Sequence, residues 1–238
     1  MYPELLTVGN VSVGSFGVMV ALAFLTAYLL TERELKRKNI NPNIAQDLLL
    51  WIVVCSLLGA KLFFMAQNPD APIFSGHGFT FYGGFFGGLA AGIAVARVKG
   101  IGIWKMLDAA APGLALAYAI GRIGCLLVGD DYGTASSLPW AMAFPNGLPP
   151  VDFTVHPTQI YETAAMTAVF AALWKLRLKI TVNGSLFALY LMLAGLERFA
   201  VEFVRTTTPS PVPGLSVAQV IALGLISFGA VKLIKARK

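Results

Sequence analysis

Seven apolar windows run through this chain, several of them almost without charge, at about 14–31, 45–66, 79–98, 106–128, 157–175, 185–205 and 214–233. A helix of about 20 apolar residues crosses a hydrocarbon core of roughly 30 Å. Lipid offers no partner to a free backbone amide, so a spanning segment must close its own hydrogen bonds as a helix does. Composition agrees: 57% of the 238 residues are hydrophobic and 13% are charged, an apolar share above that of a soluble domain. The expected fold is an all-α polytopic membrane protein of seven helices, a single integral membrane domain over 1–238. The N-terminal MYPELLTVGNVSVG has no basic stretch and no A-x-A-like site, so the first window is expected to stay as a helix. Cys55 and Cys125 both fall inside apolar windows, where they read as small buried hydrophobes rather than a disulfide framework.

The net charge of +6 suggests nucleic acid until its placement is considered. Fourteen of the eighteen Lys and Arg fall in four clusters: Arg33 to Lys38, Arg97 to Lys105, Lys175 to Lys179 and Lys232 to Lys238. Seven crossings put all four on one side, which the positive-inside rule makes cytoplasmic. The N-terminus is then outside, the C-terminus is cytoplasmic, and the Pro-, Gly- and Asp-rich segment at about 129–156 is an external loop. No nucleic-acid partner is expected.

Lys61, Arg122, Arg198 and Arg205 belong to no cluster. An arginine at the centre of a bilayer costs at least about 2.5 to 3.5 kcal/mol unless it faces a partner or a cavity. The threading gathers Arg122, Arg198 and Arg205 at one depth near the outer face. In GLERFAVEFVR, Arg198, Glu202 and Arg205 stand at i, i+4 and i+7 on one helical face. That stripe either fixes helix packing through salt bridges or serves a ligand. Asp130 and Asp131 open the external loop, and His156, Gln159, Tyr161 and Glu162 gather in HPTQIYE. His156 reads as an interfacial histidine or as a catalyst. Tyr82, beside Gly83 and Gly84 in FYGGFFGG, reads as an aromatic belt anchor or as a phenol beside backbone open to a ligand. The other glycines of that run are expected to let helices approach closely. Guanidinium groups, carboxylates and a phenol in an outward-facing cavity suit an anionic ligand with an apolar body, such as a phospholipid head group. No GxxxxGK[ST] loop, HExxH helix or GxSxG elbow occurs, and two histidines make a multi-histidine metal site improbable.

Three blocks, in order, carry a resemblance: GRIGCLLVGDDYG at 121–133, HPTQIYE at 156–162 and GLERFAVEFVR at 195–205, with SFGVMV and FYGG before them. The chain resembles the bacterial prolipoprotein diacylglyceryl transferases. The resemblance implies seven helices, an outside N-terminus and a site toward the outer leaflet of the bacterial plasma membrane. It implies transfer of the diacylglyceryl group of phosphatidylglycerol to the lipobox cysteine thiol in a prolipoprotein signal peptide, with release of glycerol phosphate and no cofactor or metal. By motif, Arg122 and Arg198 match the family's essential arginines, Asp130 its acidic residue, Gly133 its final glycine and Glu202 its glutamate. Tyr82 stands where a histidine proposed to act in catalysis is found. Arg205, His156, Tyr161, Phe16, Gly83 and Gly84 complete the expected substrate-binding set. Cys125 and Val128 replace asparagines, and Phe16 stands where a tyrosine is common. A phenol ordinarily titrates near 10 and is a poor base at neutral pH, so Tyr82, His156 and Asp130 compete for the role of base. The alternatives are a diverged paralogue acting on another lipid or acceptor, and a non-enzymatic membrane protein that carries or binds an anionic lipid. A carrier more often shows two repeated halves with interrupted helices, and no such repeat is evident.

Overall fold

The computed structural model describes residues 1–8, 11–69, 78, 80–205, 210 and 212–236. Among them are seven α-helices: α1 (Ser15–Arg37), α2 (Ile44–Gln67), α3 (Phe81–Val98), α4 (Ile103–Val128), α5 (Thr158–Leu176), α6 (Ser185–Val201) and α7 (Val217–Ala236). Each falls on one of the seven apolar windows. Helices α1, α2, α4 and α7 are long and apolar enough to cross a membrane, and α3 is a shorter apolar helix. Helix α5 gives up hydropathy to the polar groups at its site end, Thr158, Gln159 and Glu162, and α6 is short, at 17 residues.

Two short antiparallel ribbons stand beside the helices. Strands β1 (Glu4–Val8) and β2 (Val11–Gly14) pair before α1, and β3 (Met142–Phe144) pairs with β4 (Val151–Val155) inside the segment expected as a loop. Strands this short leave little period-two signal among prolines and glycines.

Residue contacts divide the chain into two compact units, 28–109 and 1–27 with 110–238. In the first, Leu35, Ile44, Leu48, Val95, Ala96 and Met106 form a buried cluster. Helices α2 and α3 cross at glycines: a Cβ on Gly83 would run into the Gly59 carbonyl oxygen, and one on Gly87 into that of Cys55. Gly83 is therefore a packing residue of the kind small side chains supply between membrane helices. Gly84 makes ordinary contacts with α2, and Tyr82 is 53% exposed at the start of α3.

In the second unit, Ala111, Ala115 and Ala119 of α4 pack on Met166, Leu173 and Leu186 of α5 and α6. Phe16 and Met19 of α1 close over Gly124. Helix α4 ends at Gly129 in a left-handed conformation (φ 77°), with the amides of Gly129 and Asp130 both reaching the Cys125 carbonyl. This is a C-terminal cap that glycine enters without strain. The following segment folds over its own small core of Phe144, Val151 and Val155, with Tyr132 stacked on Phe144 at 5.5 Å. Helix α7 begins with a reciprocal cap: the Ser216 amide donates to Gln219 Oε1 at 2.9 Å and the Gln219 amide to Ser216 Oγ at 3.1 Å.

The expected sixth helix was to run to Arg205. The α-helix stops at Val201, a 3₁₀ turn covers Glu202–Val204, and Arg205 is extended. Tertiary pairing wins over propensity there: the Thr134 amide takes the Val204 carbonyl at 2.9 Å, and Gly133 bridges Arg205. Arg205 consequently leaves the face that Arg198 and Glu202 share.

Candidate active site

The site is built in the unit of 1–27 and 110–238, where the C-terminal end of α4, the start of α5 and the end of α6 carry their charges. Arg122, on α4, is 8% exposed. Its Nη1 donates to Asp131 Oδ2 at 2.8 Å, its Nη2 to Glu162 Oε1 at 3.0 Å, and its Nε lies 2.8 Å from Glu162 Oε2. Glu162, buried on the first turns of α5, also takes Arg205 Nη1 at 2.9 Å and the Tyr118 hydroxyl at 2.6 Å. Arg205 Nη2 reaches Asp131 Oδ1 at 3.1 Å. Two guanidinium groups and two carboxylates thus form a closed, charge-balanced network. Pairing of this kind is what lets buried charges persist.

Asp131 occupies the bridging place. Burial alone would raise its pKa, but the hydrogen bond from Arg122 and the charges of Arg205 and Arg122 outweigh it and hold the carboxyl below the usual range. Its φ of 58° is left-handed, a conformation aspartate tolerates better than most residues. Asp130, the residue matched by motif, points elsewhere. It pairs with the Cys125 thiol, and burial together with the charge of Asp131 pushes its pKa up. Of the adjacent pair, Asp131 is the one that holds the arginines.

Arg198 joins a second pair. Its Nη2 lies 2.7 Å from Glu202 Oε2, and Glu202 Oε1 accepts the Ser216 hydroxyl at 2.7 Å. The Arg198 side chain is 30% exposed, against 10% for Arg122 and 14% for Arg205, so it is the guanidinium most open to an incoming group.

Gly133 is required by crowding. A Cβ there would collide with the Val204 carbonyl oxygen and lie 2.8 Å from His156 Cβ. The backbones on either side of it carry Asp131 and Arg205, so Gly133 closes the strand contact that brings the two together. His156 follows β4, with its amide on the Thr134 carbonyl at 3.0 Å and Nδ1 3.3 Å from the Tyr161 hydroxyl. That hydroxyl accepts Trp140 Nε1 at 2.8 Å. Thr158 Oγ1 donates to the Asp131 carbonyl at 2.7 Å, and the Gln159 side-chain amide donates to that of Asp130. The TQ of HPTQIYE thereby pins the Asp pair to α5.

The structure places Arg122, Arg198, Arg205, Gly133, His156 and Tyr161 of the expected set in one unit, and three further side chains organise them. The sequence shows Glu162 and Asp131 as polar neighbours of the site and gives Tyr118 no motif of its own. The signal for Tyr118 was its i, i+4 spacing from Arg122 on α4. Phe16 lies within this unit, against Gly124; Tyr82, Gly83 and Gly84 lie in the other. Ligating atoms of Cys125, Asp130 and Asp131 come within 4.8 Å of one another, but Arg122 Nη1 touches Cys125 Sγ at 3.3 Å as well as Asp131. A guanidinium already supplies that cluster with its positive charge.

The model of the family "Prolipoprotein diacylglyceryl transferase" matches residues 3–235. The chain is 32% identical over 238 residues to the phosphatidylglycerol–prolipoprotein diacylglyceryl transferase of Clostridium tetani, covering 96% of this chain and 95% of the relative. It is 31% identical to the protein of that name from Trichormus variabilis, over 95% of this chain and 86% of the relative. For the one from Synechococcus elongatus the identity is 30%, over 98% and 86%. With its fold helical, its buried arginines in place and nearly its whole length matched, the chain belongs to the prolipoprotein diacylglyceryl transferase family.

Proposed function

We propose that this protein transfers the diacylglyceryl group of phosphatidylglycerol to the lipobox cysteine of prolipoprotein signal peptides, as the names of its relatives say of them. The reading includes seven spans of one integral domain in the bacterial plasma membrane, with the N-terminus and the 129–156 segment outside. The observation that carries the site is the Asp131 carboxylate held between two guanidinium groups, with its side chain half exposed. Its two oxygens take donors from Arg122 and Arg205 much as two phosphate oxygens would. The lipid phosphate takes over part of these donors and gains Arg198, the most exposed of the three.

The chemistry then follows from charge. The acceptor sulfur attacks the glycerol carbon that bears the phosphodiester oxygen, the carbon–oxygen bond breaks, and negative charge gathers on the departing glycerol phosphate. Fixed guanidinium groups stabilise that charge without having to reorganise. Glu162 and Glu202 keep Arg122 and Arg198 in position, and Gly133, His156 and Tyr161 shape the entrance. Phe16 joins the substrate-binding set by its place in the SFGVMV block, and the expected roles of Tyr82 and Gly84 rest on the FYGG block alone, whereas Gly83 packs helices.

The test is to place the purified protein in vesicles containing phosphatidylglycerol labelled in its head group and to add a lipobox peptide or its Cys→Ser form. Water-soluble glycerol phosphate should appear with the thiol peptide alone. Release that ignores the thiol, or none with either peptide, would sink the reading.

A further inference from the structure

A cavity of about 460 Å³ opens within the unit of the site, among Leu138, Trp140, His156, Tyr161, Glu197 and Val201. Among the described residues, Glu197 is the one carboxylate on its wall. Glu197 Oε1 is buried and has no hydrogen-bond partner among the described residues. A buried carboxylate oxygen without a partner is costly, and it calls for an explanation such as a water, an ion or a catalytic role.

Three of the neighbouring acids are already committed. Glu162 holds Arg122, Arg205 and Tyr118; Glu202 holds Arg198 and Ser216; Asp131 bridges two arginines. Asp130 lies against the Cys125 thiol and its Oδ1 is also without a partner among the described residues, but Asp130 is not on the wall of this cavity. His156 is committed too. The Tyr161 hydroxyl accepts the indole N–H of Trp140, which can only donate, so its own proton points to His156 Nδ1. That assigns the proton of a neutral ring to Nε2, a donor rather than an acceptor.

We propose that Glu197 is the base of the transfer reaction: its carboxylate takes the proton of the acceptor thiol as it enters this cavity. The inference rests on the transferase reading above. The S–H proton passes to the carboxylate, and the sulfur electron pair forms the new carbon–sulfur bond. The carbon–oxygen bond to the phosphate breaks with its pair left on the phosphate oxygen, and Glu197 returns its proton to water between turnovers. Charges of Arg122, Arg198 and Arg205 act on Glu197, so base and phosphate clamp belong to one electrostatic site. The sequence hides this residue because Glu197 occupies an unspecified position of GLERF, between the glycine and the arginine.

The experiment compares the parent and Glu197→Gln on two peptides, one with the acceptor cysteine and one with selenocysteine, whose selenol ionises without help. Glu197→Gln should lose about 10²- to 10⁴-fold in thiol turnover and keep selenol turnover near the parent's. Unchanged thiol turnover overturns the proposal, and so does equal loss on both peptides by a variant that melts like the parent. If Glu197→Gln does not fold, Glu197→Ala with added formate carries the test: restored thiol turnover supports the base, and no restoration in folded protein overturns it. A parent inactive on both peptides overturns the transferase reading beneath it.

Discussion

Glu162 puts two guanidinium groups and a phenol on two carboxylate oxygens while remaining 1% exposed. Removing its charge strands both arginines, and breaking a buried ion pair from one side costs about 3 to 5 kcal/mol. Glu162→Gln should therefore unfold at much lower denaturant in detergent than Tyr118→Phe, which gives up one hydrogen bond to a charged group, about 1.5 to 3 kcal/mol. Equal midpoints for the two variants would mean the network does not carry that load. Asp131 adds a pH dependence. Its pKa is lowered in the folded protein, so its contribution is complete above the unfolded value of about 3.9 and is lost as pH falls through the lowered one. Acid unfolding curves should show Asp131→Asn already destabilised at neutral pH and less sensitive to acid than the parent. Much of this residue-level picture was legible, because an arginine in an apolar window demands a partner. Which of two adjacent aspartates supplies it was not, since the left-handed turn at Asp131 decides the direction of the side chain and leaves no pattern in the sequence.

Hydropathy located the seven helices because each must bury or present apolar surface over most of its length. Their ends were a different matter. Helix α6 stops at Val201 because Gly133 and Thr134 pair with Arg205 and Val204 just beyond it, and a contact about 70 positions away is invisible to periodicity. The ribbon of β3 and β4 escaped for a similar reason: its strands are 3 and 5 residues long and draw their stability from Phe144 and Tyr132 rather than from alternation. Gly133 sits at the join. Gly133→Ala forces a Cβ against the Val204 carbonyl, and overpacking of this kind costs about 1 to 3 kcal/mol. The variant should lose stability by that amount and lose transfer activity with it, as read by thermal unfolding and initial rate on the same preparation. Parent-like values in both would show that the Gly133–Arg205 contact is dispensable.

For the whole molecule, the four basic clusters give the orientation proposed here. Lys36→Cys should be shielded from an impermeant thiol reagent added outside intact cells, and Asp152→Cys should react; the opposite pattern would invert the topology. Family membership was legible from three motif blocks because they are the stretches whose charged side chains meet in the site. The central claim is chemical, and the mass of the acceptor peptide tests it most directly. After incubation with the purified protein and phosphatidylglycerol of known acyl composition, the lipobox peptide should gain the mass of one diacylglyceryl group through an alkali-stable thioether on its cysteine. A peptide of unchanged mass, or one carrying only an alkali-labile acyl group, would contradict the account.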